Sequence, residues 1–317
     1  MEFLFLALGL VLLILGGEFA LRGAIGLARR MGISPAVIGL TVMGFGTSAP
    51  ELVVTVQAVI DRSADIAVGN AIGSNIANTL LILGAGALVY PLGCDPLAVR
   101  RDGTVMLLAT LLLCVLGLLG GITAWQGAVM LGLLAAFLWW SYVHDRRQRD
   151  ASTDLHEGAS EDTGGVPASI PAVTAYIVAG MAGLVYGATM LVDAAVALAK
   201  SAGVSESIIG LTLVALGTSL PELAATLVAA YRRHADIAIA NVLGSNIFNI
   251  LAVLGTGALF GPMRFSAHIV AIDQWVMLGT AVVLLPMMVT GWRISRREGA
   301  TLLCAYVVYI GILATGY

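Results

Sequence analysis

The chain has 317 residues, of which 59% are apolar and only 11% are charged, with a formal net charge of −3. Soluble proteins carry about 25% charged residues, and one water-soluble core of this length cannot hide the apolar surface that a mean hydropathy of +0.96 represents. The acidic charge and the absence of a basic block exclude a nucleic-acid partner, and three widely spaced cysteines exclude a disulfide-stapled domain. The composition indicates a polytopic membrane protein.

Ten apolar segments approach or exceed the length of about 20 residues that a helix needs to cross a bilayer core. They are predicted at residues 3–21, 35–59, 65–90, 103–120, 124–143, 171–199, 207–230, 236–261, 267–290 and 301–316. The first is predicted as a true span, because Met1-Glu2 is not the basic start of a signal peptide.

A polar segment at 144–170 separates five spans from the other five. It holds 9 of the 35 formal charges in 27 positions, with Ser, Gly and Pro between them, and it is predicted to be a disordered linker. The domain organisation is therefore a first five-helix repeat at 1–143, a cytoplasmic linker at 144–170 and a second repeat at 171–317.

Basic residues in short loops favour the cytoplasm. An outward N-terminus leaves only Arg62, Lys200 and Arg264 outside. The cytoplasmic loops then hold Arg22, Arg29, Arg30, Arg100, Arg101, Arg146, Arg147, Arg149, Arg232, Arg233, Arg293, Arg296 and Arg297. We therefore expect both termini to face outward and the linker to be cytoplasmic.

The two halves share a sequence motif. Residues 39–51 read GLTVMGFGTSAPE and residues 210–222 read GLTLVALGTSLPE, and a constant offset of 171 also aligns the GSN triplets at 73–75 and 244–246. Because five spans is an odd number, the second copy must enter the membrane from the opposite side. Inverted repeats with interrupted helices are typical of secondary transporters, with substrate at the midplane.

Glu51 and Glu222 lie within otherwise apolar helices, each a little past the middle. An ionisable side chain at that depth costs at least about 2.5–3.5 kcal/mol, and such residues are functional by default. A protonated or paired structural carboxylate is the alternative interpretation. Neither helix interior contains Lys or Arg, so two symmetry-related acids without a base favour a bound cation.

The residues before each glutamate favour a hard cation. Pro50 and Pro221 lack an N–H group, so the carbonyls four residues earlier lose their helical partners, and unwound backbone at membrane depth must line a cavity. Freed carbonyls, carboxylates and hydroxyls form an all-oxygen set, which Ca²⁺ prefers. The hydroxyls are those of Thr47, Ser48, Thr218 and Ser219.

Polar side chains also follow each motif in the next helix. The strips consist of Asn70, Ser74, Asn75 and Asn78 in the first repeat and of Asn241, Ser245, Asn246 and Asn249 in the second. Ser74 and Asn78 are four residues apart and share a helix face, as do Ser245 and Asn249. We expect them to complete a diamond of four helices around the ions, with interhelical hydrogen bonding as the alternative.

Four further acids lie elsewhere. Asp65 and Asp236 precede apolar helices and are predicted to be N-caps. Glu18 in the first span and Asp193 in the sixth are not related by the repeat, and we expect them toward the cytoplasmic and outer ends of their helices, respectively.

The paired GTSxPE and GSNxxN motifs closely resemble the α-repeats of the cation/calcium exchanger superfamily, best its prokaryotic sodium/calcium antiporter branch. The resemblance covers essentially the whole chain. It implies exchange of several Na⁺ for one Ca²⁺, with helices 1 and 6 sliding against a fixed core. Transferred by position, the family's calcium ligands fall on Glu51, Glu222, Thr47 and Thr218. Its sodium ligands fall on both glutamates with Ser48, Ser219, Ser74, Ser245, Asn78 and the backbone carbonyls of Gly44 and Ala215.

One position departs from some relatives, because Asn249 stands where they carry Asp. This residue is a candidate determinant of ion selectivity, and it favours exchange that does not require K⁺.

The sequence therefore predicts an all-α membrane antiporter of ten transmembrane helices, arranged as two inverted repeats, in a bacterial inner membrane. Its expected partners are the bilayer and the transported Ca²⁺ and Na⁺, with no cofactor and no enzymatic activity. A proton-coupled or potassium-dependent calcium exchanger is the nearest alternative. An intramembrane hydrolase is the alternative from another class, although the chain lacks HExxH and GxSxG motifs.

Overall fold

The computed structural model describes residues 2–153, 165–167, 169–201 and 215–314. The first half contains α1 (Glu2–Met31), α2 (Pro35–Thr47), α3 (Ala49–Ile60), α4 (Ala64–Val89), α5 (Pro96–Leu118) and α6 (Ala124–Thr153). The second half contains α7 (Ile170–Ser201), α8 (Ala215–Gly217), α9 (Leu220–Tyr231), α10 (Ala235–Phe260), α11 (Ile269–Trp292) and α12 (Arg296–Ala314). Two short antiparallel strands, β1 (Leu92–Gly93) and β2 (Arg293–Ile294), join the halves.

Among the described residues, seven helices are long and apolar enough to cross a membrane, and the bent pair α2–α3 makes an eighth span. The two other predicted spans correspond to α8–α9, whose preceding residues 202–214 lie outside the described ranges, and to the 19-residue helix α12. The predicted fold class, an all-α membrane protein of two inverted five-helix repeats, is confirmed.

The contacts between α1 and α7 occur in symmetric pairs: adding 171 to the α1 residue of one contact gives the α7 residue of the other. A pseudo-two-fold axis between the repeats requires this pattern. A Cβ built on Gly9 would lie 2.9 Å from the Gly187 carbonyl oxygen, and one on Gly16 would lie 2.9 Å from the Gly180 carbonyl oxygen. Gly180 is Gly9 displaced by 171 residues, and Gly187 is Gly16 displaced equally. The absence of side chains at these four glycines lets α1 and α7 cross with their backbones in contact.

Local signals set where the helices begin. The Ser34 hydroxyl accepts from the Val37 N–H at 3.4 Å, with Pro35 in the first turn of α2, which is the standard arrangement of a helix N-terminus. The predicted N-caps at Asp65 and Asp236 are wrong, because α4 and α10 begin one residue earlier, at Ala64 and Ala235. Both aspartates lie in the first turn, where their charge favours the helix dipole.

Helices α4 and α10 each contain a π-helical stretch, at Asn78–Ile82 and Asn249–Leu254. Both stretches begin at the asparagine that ends the GSNxxN motif. π-Helical turns are rare and often occur at functional sites. Their equivalent positions in the two repeats show that the local irregularity was duplicated with the motif.

The predicted linker begins inside a helix, because α6 continues past His144 to Thr153. Within this extension, Asp145 accepts hydrogen bonds from the Ser34 N–H at 2.6 Å and the Ser34 hydroxyl at 2.7 Å. This contact ties the end of α6 to the start of α2. Residues 154–164 and 168 of the predicted linker lie outside the described ranges.

Candidate functional site

Two breaks in the helices place the motif residues at the centre of the molecule. Helices α2 and α3 meet at a 43° bend around Ser48, whose φ and ψ are −79° and 6°. In the second repeat, Thr218 and Ser219 separate α8 from α9, and Ser219 has a similar φ of −90° and ψ of 4°. Each break is followed by the motif proline in the first turn of the next helix, where a missing N–H is tolerated.

The carboxylates of Glu51 and Glu222 are both completely buried. Ser48 donates from its hydroxyl to Glu222 Oε1 at 3.2 Å, and its counterpart Ser219 donates to Glu51 Oε1 at 3.4 Å. Each serine therefore serves the glutamate of the other repeat. Ser74 donates to Glu51 Oε1 at 3.3 Å and lies 3.3 Å from the Ser219 hydroxyl oxygen.

The second carboxylate oxygen, Oε2, has no hydrogen-bond donor at either glutamate among the described residues. Within the same part of the chain no ion pair links either glutamate to a base, and the nearly buried side chain of Arg101 pairs with Asp102 instead. Buried carboxylates without a counter-charge are costly. Two free acceptor oxygens on fully buried carboxylates are therefore suited to a cation.

The hydroxyls around the carboxylates differ between repeats. Thr47 donates to the Met43 carbonyl oxygen at 3.0 Å and lies 3.3 Å from the hydroxyl oxygen of the fully buried Ser245. The hydroxyl of its counterpart Thr218 is buried without a hydrogen-bond partner among the described residues. Thr47 thus bridges the repeats, whereas Thr218 keeps a free oxygen.

The two predicted backbone ligands lie in the helices before each break. Gly44 packs directly on the backbone of α10, since a Cβ built there would lie 3.1 Å from the Gly244 carbonyl carbon. Ala215 is the first residue of α8. Residues 210–214 of the second motif lie outside the described ranges.

A network of asparagine amides joins α4 to α10 beside the glutamates. Asn78 donates to Asn246 Oδ1, Asn249 donates to Asn75 Oδ1 and Asn75 donates to the Asn246 carbonyl oxygen, all at 3.1 Å. Asn246 in turn donates to Thr79 at 3.1 Å. Interhelical hydrogen bonding therefore accounts for Asn75 and Asn246.

The remaining two asparagines are symmetry-related, and both keep an unused oxygen. Asn78 and Asn249 are fully buried, and the Oδ1 atom of each lacks a hydrogen-bond partner within the described part of the chain. Each amide group is thus fixed through its nitrogen, and its oxygen remains available to a cation.

A cavity of about 410 Å³ lies beside the broken helix. Its wall includes Pro50 and Val53 of α3, Thr189 and Asp193 of α7, and Thr218 at the second break. On α7 its lining residues lie between Val185 and Asp193, from the middle of the helix toward its Ser201 end.

A family model described as "Sodium/calcium exchanger protein" matches residues 1–143 and 172–315. The chain belongs to the sodium/calcium exchanger family. CaxA of Alkalimonas amylolytica is 39% identical over 311 residues, which cover 96% of each chain. The sodium/calcium exchanger MaX1 of Methanosarcina acetivorans is 31% identical over 354 residues, covering 98% of each. The solved structure of the sodium-calcium exchanger NCX_Mj, soaked with 10 mM Na⁺ and zero Ca²⁺, matches with a TM-score of 0.83, 31% identity and 98% coverage of both chains.

For this member of the exchanger family, the structure brings every described site residue predicted from the sequence to the two helix breaks or to α4 and α10 beside them. Asn75 and Asn246 belong to the polar strips predicted from the sequence, and the structure shows them in the interhelical hydrogen bonding that was the alternative interpretation. Sequence reasoning missed one feature. Helix α7 lines the cavity through Thr189 and Asp193, and no motif marks these residues.

Proposed function

We propose that this chain is a secondary antiporter that exchanges Na⁺ for Ca²⁺ across the membrane by alternating access. The observation that carries the proposal is the pair of fully buried, symmetry-related carboxylates without a protein counter-charge. Their combined formal charge of −2 is neutralised by one Ca²⁺ or by two Na⁺, so one site can hold either ion in turn. Family membership supports the same exchange.

We assign the calcium site to Glu51, Glu222, Thr47 and Thr218. Carboxylate and hydroxyl oxygens are hard ligands, which suit Ca²⁺ better than the sulfur or nitrogen ligands of softer metals. The free Oε2 atoms and the unpartnered Thr218 hydroxyl support this assignment.

The sodium sites share the two glutamates and add oxygens on either side of them. The added ligands are Ser48, Ser219, Ser74, Ser245, Asn78 and the carbonyls of Gly44 and Ala215. The hydrogen bonds of three of these serines to the glutamates support this placement, as does the free Oδ1 of Asn78.

We place the exchanger in a bacterial inner membrane, with both termini outside and the linker in the cytoplasm. Thirteen of the 16 basic residues then fall on the cytoplasmic side, as the positive-inside rule predicts. In this orientation the cavity opens outward, because Val53 lies on the half of the broken span that leads to Ile60 and away from the arginine-rich face.

The decisive experiment is uptake of radioactive calcium into proteoliposomes under imposed sodium, potassium or proton gradients. We expect uptake that an outward sodium gradient drives and that neither a potassium nor a proton gradient replaces. Uptake driven only by protons would identify a proton/calcium exchanger, and uptake that needs K⁺ together with Na⁺ would identify a potassium-dependent one. Either result would contradict the proposal.

A further inference from the structure

An ion pair joins α1 to the end of α9, away from the proposed ion ligands. Arg232 donates from Nε to Glu18 Oε2 and from Nη2 to Glu18 Oε1, both at 2.8 Å. Arg22, one turn further along α1, donates from Nε to Glu18 Oε1 at 2.8 Å. Glu18 therefore holds one guanidinium group of its own helix and one that follows α9.

This ion pair and the cavity lie on opposite sides of the α1–α7 crossing. The two helices are antiparallel, because Gly9 meets Gly187 and Gly16 meets Gly180. Glu18 follows Gly16 toward the Met31 end of α1, on one side of the crossing. The cavity residues of α7 extend toward Ser201, on the other side.

The repeat offset of 171 residues maps one region onto the other. Glu18 corresponds to Thr189 and Arg22 to Asp193, and both counterparts line the cavity. Val53 of the cavity wall, 67% exposed, corresponds to Ala224 of α9.

The region around Ala224 is closed, in contrast to its counterpart. A Cβ built on Gly17 would lie 3.3 Å from the Ala224 carbonyl oxygen and 2.9 Å from Cγ2 of Val228. Val53 is therefore largely exposed at the cavity, whereas its counterpart Ala224 is partly buried against α1. The bidentate ion pair lies at this closed region.

We propose that Glu18 is a positioning residue for transport, whose ion pair with Arg232 holds α1 against α9 and keeps the face opposite the cavity closed. The pair must separate before the ion site can open on that face. This inference rests on the alternating access proposed above.

The test is the labelling rate of single cysteines by a water-soluble thiol reagent on the purified full chain in detergent. Ala224→Cys reports the closed face and Val53→Cys reports the cavity. Near-surface ion pairs contribute up to about 1 kcal/mol, so Arg232→Gln should raise labelling at Ala224→Cys about three- to five-fold. Labelling at Val53→Cys should persist, and the thermal unfolding transition of each variant shows that it is folded. Arg22→Gln is the matched control, because it removes a guanidinium that does not link two helices.

Two further variants separate charge from packing. Arg232→Lys keeps the charge, so the cysteine of Ala224→Cys should be labelled at close to the parent rate in that variant. Glu18→Gln should raise the labelling rate of the same cysteine as much as Arg232→Gln does. An unchanged labelling rate at Ala224→Cys in both Arg232→Gln and Glu18→Gln would overturn the inference. A rise of the same size in Arg22→Gln would also overturn it. Labelling needs no ion gradient, so its failure and a failure of the flux experiment are distinguishable.

The native cysteines permit this design. Cys94 and Cys114 are buried, and burial raises the pKa of the Cys94 thiol to about 12, which suppresses the reactive thiolate. Cys304 is exposed on α12. The labelling experiment therefore starts from a Cys304→Ser variant, which serves as the parent for all the others.

Discussion

At the scale of single residues, the two glutamates combine complete burial with incomplete hydrogen bonding. Oε1 of each carboxylate accepts from serines, and Oε2 accepts from none of the described residues. The serines fix the orientation of each carboxylate without neutralising it. Charge balance is thereby left to the transported ion.

Glu51→Gln and Glu222→Gln should each abolish calcium transport in a folded protein. A single remaining carboxylate leaves an excess charge beside a divalent ion, and breaking a buried pair costs about 3–5 kcal/mol, or roughly 200- to 5,000-fold in affinity. Calcium uptake into proteoliposomes measures the effect. Asp61→Asn is the matched control, because Asp61 is an exposed acid just after the same helix. Parent-level uptake in either glutamine variant would remove the proposed site.

Asn249→Asp should change the ion selectivity or the number of coupled monovalent ions. The parent site carries a formal charge of −2, so K⁺ added to Ca²⁺ would leave a buried excess charge, which a low dielectric penalises. An aspartate brings the charge to −3, which a monovalent ion beside Ca²⁺ balances. We expect parent exchange without K⁺ on either side of the membrane, and an altered potassium dependence in the variant. Loss of parent exchange on removal of K⁺ would contradict this prediction.

At the scale of elements, glycine contacts set how closely α1 approaches α7. A Cβ built on Gly16 would lie 2.6 Å from the Leu184 backbone nitrogen and 2.8 Å from the Gly183 carbonyl carbon. Backbone atoms cannot move aside as a flexible side chain can. The close approach of α1 and α7 therefore depends on the absence of a side chain at this position.

Gly16→Ala should destabilise the protein by about 1–3 kcal/mol, the usual cost of overpacking, and should lower its thermal unfolding temperature. Gly279→Ala makes the same change inside α11 at a position with no atom within 4 Å of the new Cβ. This control should unfold at or slightly above the parent temperature, because alanine has the higher helix propensity. Equal unfolding temperatures for the two variants would show that α1 and α7 can separate without cost.

At the scale of the whole molecule, the two repeats meet in the described structure through α1 and α7, the amide network and the short strands. Ile122 pairs with Met263 and Leu92 pairs with Ile294. Leu92 and Met263 are related by the repeat offset, so the two pairings are near counterparts. The polar segment between the repeats is the part whose composition least favours a packed core.

Removing about ten residues between 154 and 164 should therefore leave exchange intact, since this polar segment supplies none of the proposed ion ligands. The deletion spares Asp145, whose hydrogen bonds to Ser34 tie α6 to α2. Calcium uptake and thermal unfolding of the shortened chain measure the outcome. A folded deletion variant without flux would reveal a role for this segment.

The sequence by itself determined the class of protein, the ten spans, the inversion of the repeats and the family resemblance. These properties depend on local sequence, because each span and each GTSxPE or GSNxxN motif is a run of neighbouring residues. The 171-residue offset follows from comparing two such runs. The positions of the helix breaks also followed from Pro50 and Pro221. The exact first residues of α4 and α10 did not follow from the sequence, because an aspartate such as Asp65 or Asp236 is favourable both as an N-cap and within the first turn of a helix.

Only the tertiary structure decided which groups meet across the repeats. Ser48 and Ser219 each reach the glutamate of the other half, and Glu18 binds Arg232, 214 positions away. It also decided that one face carries the cavity while its counterpart is closed. The repeats have nearly the same motif, so a local pattern predicts the same environment for both. Which face is open depends on how α1 and α7 lie against the other helices, and that placement is a property of long-range packing.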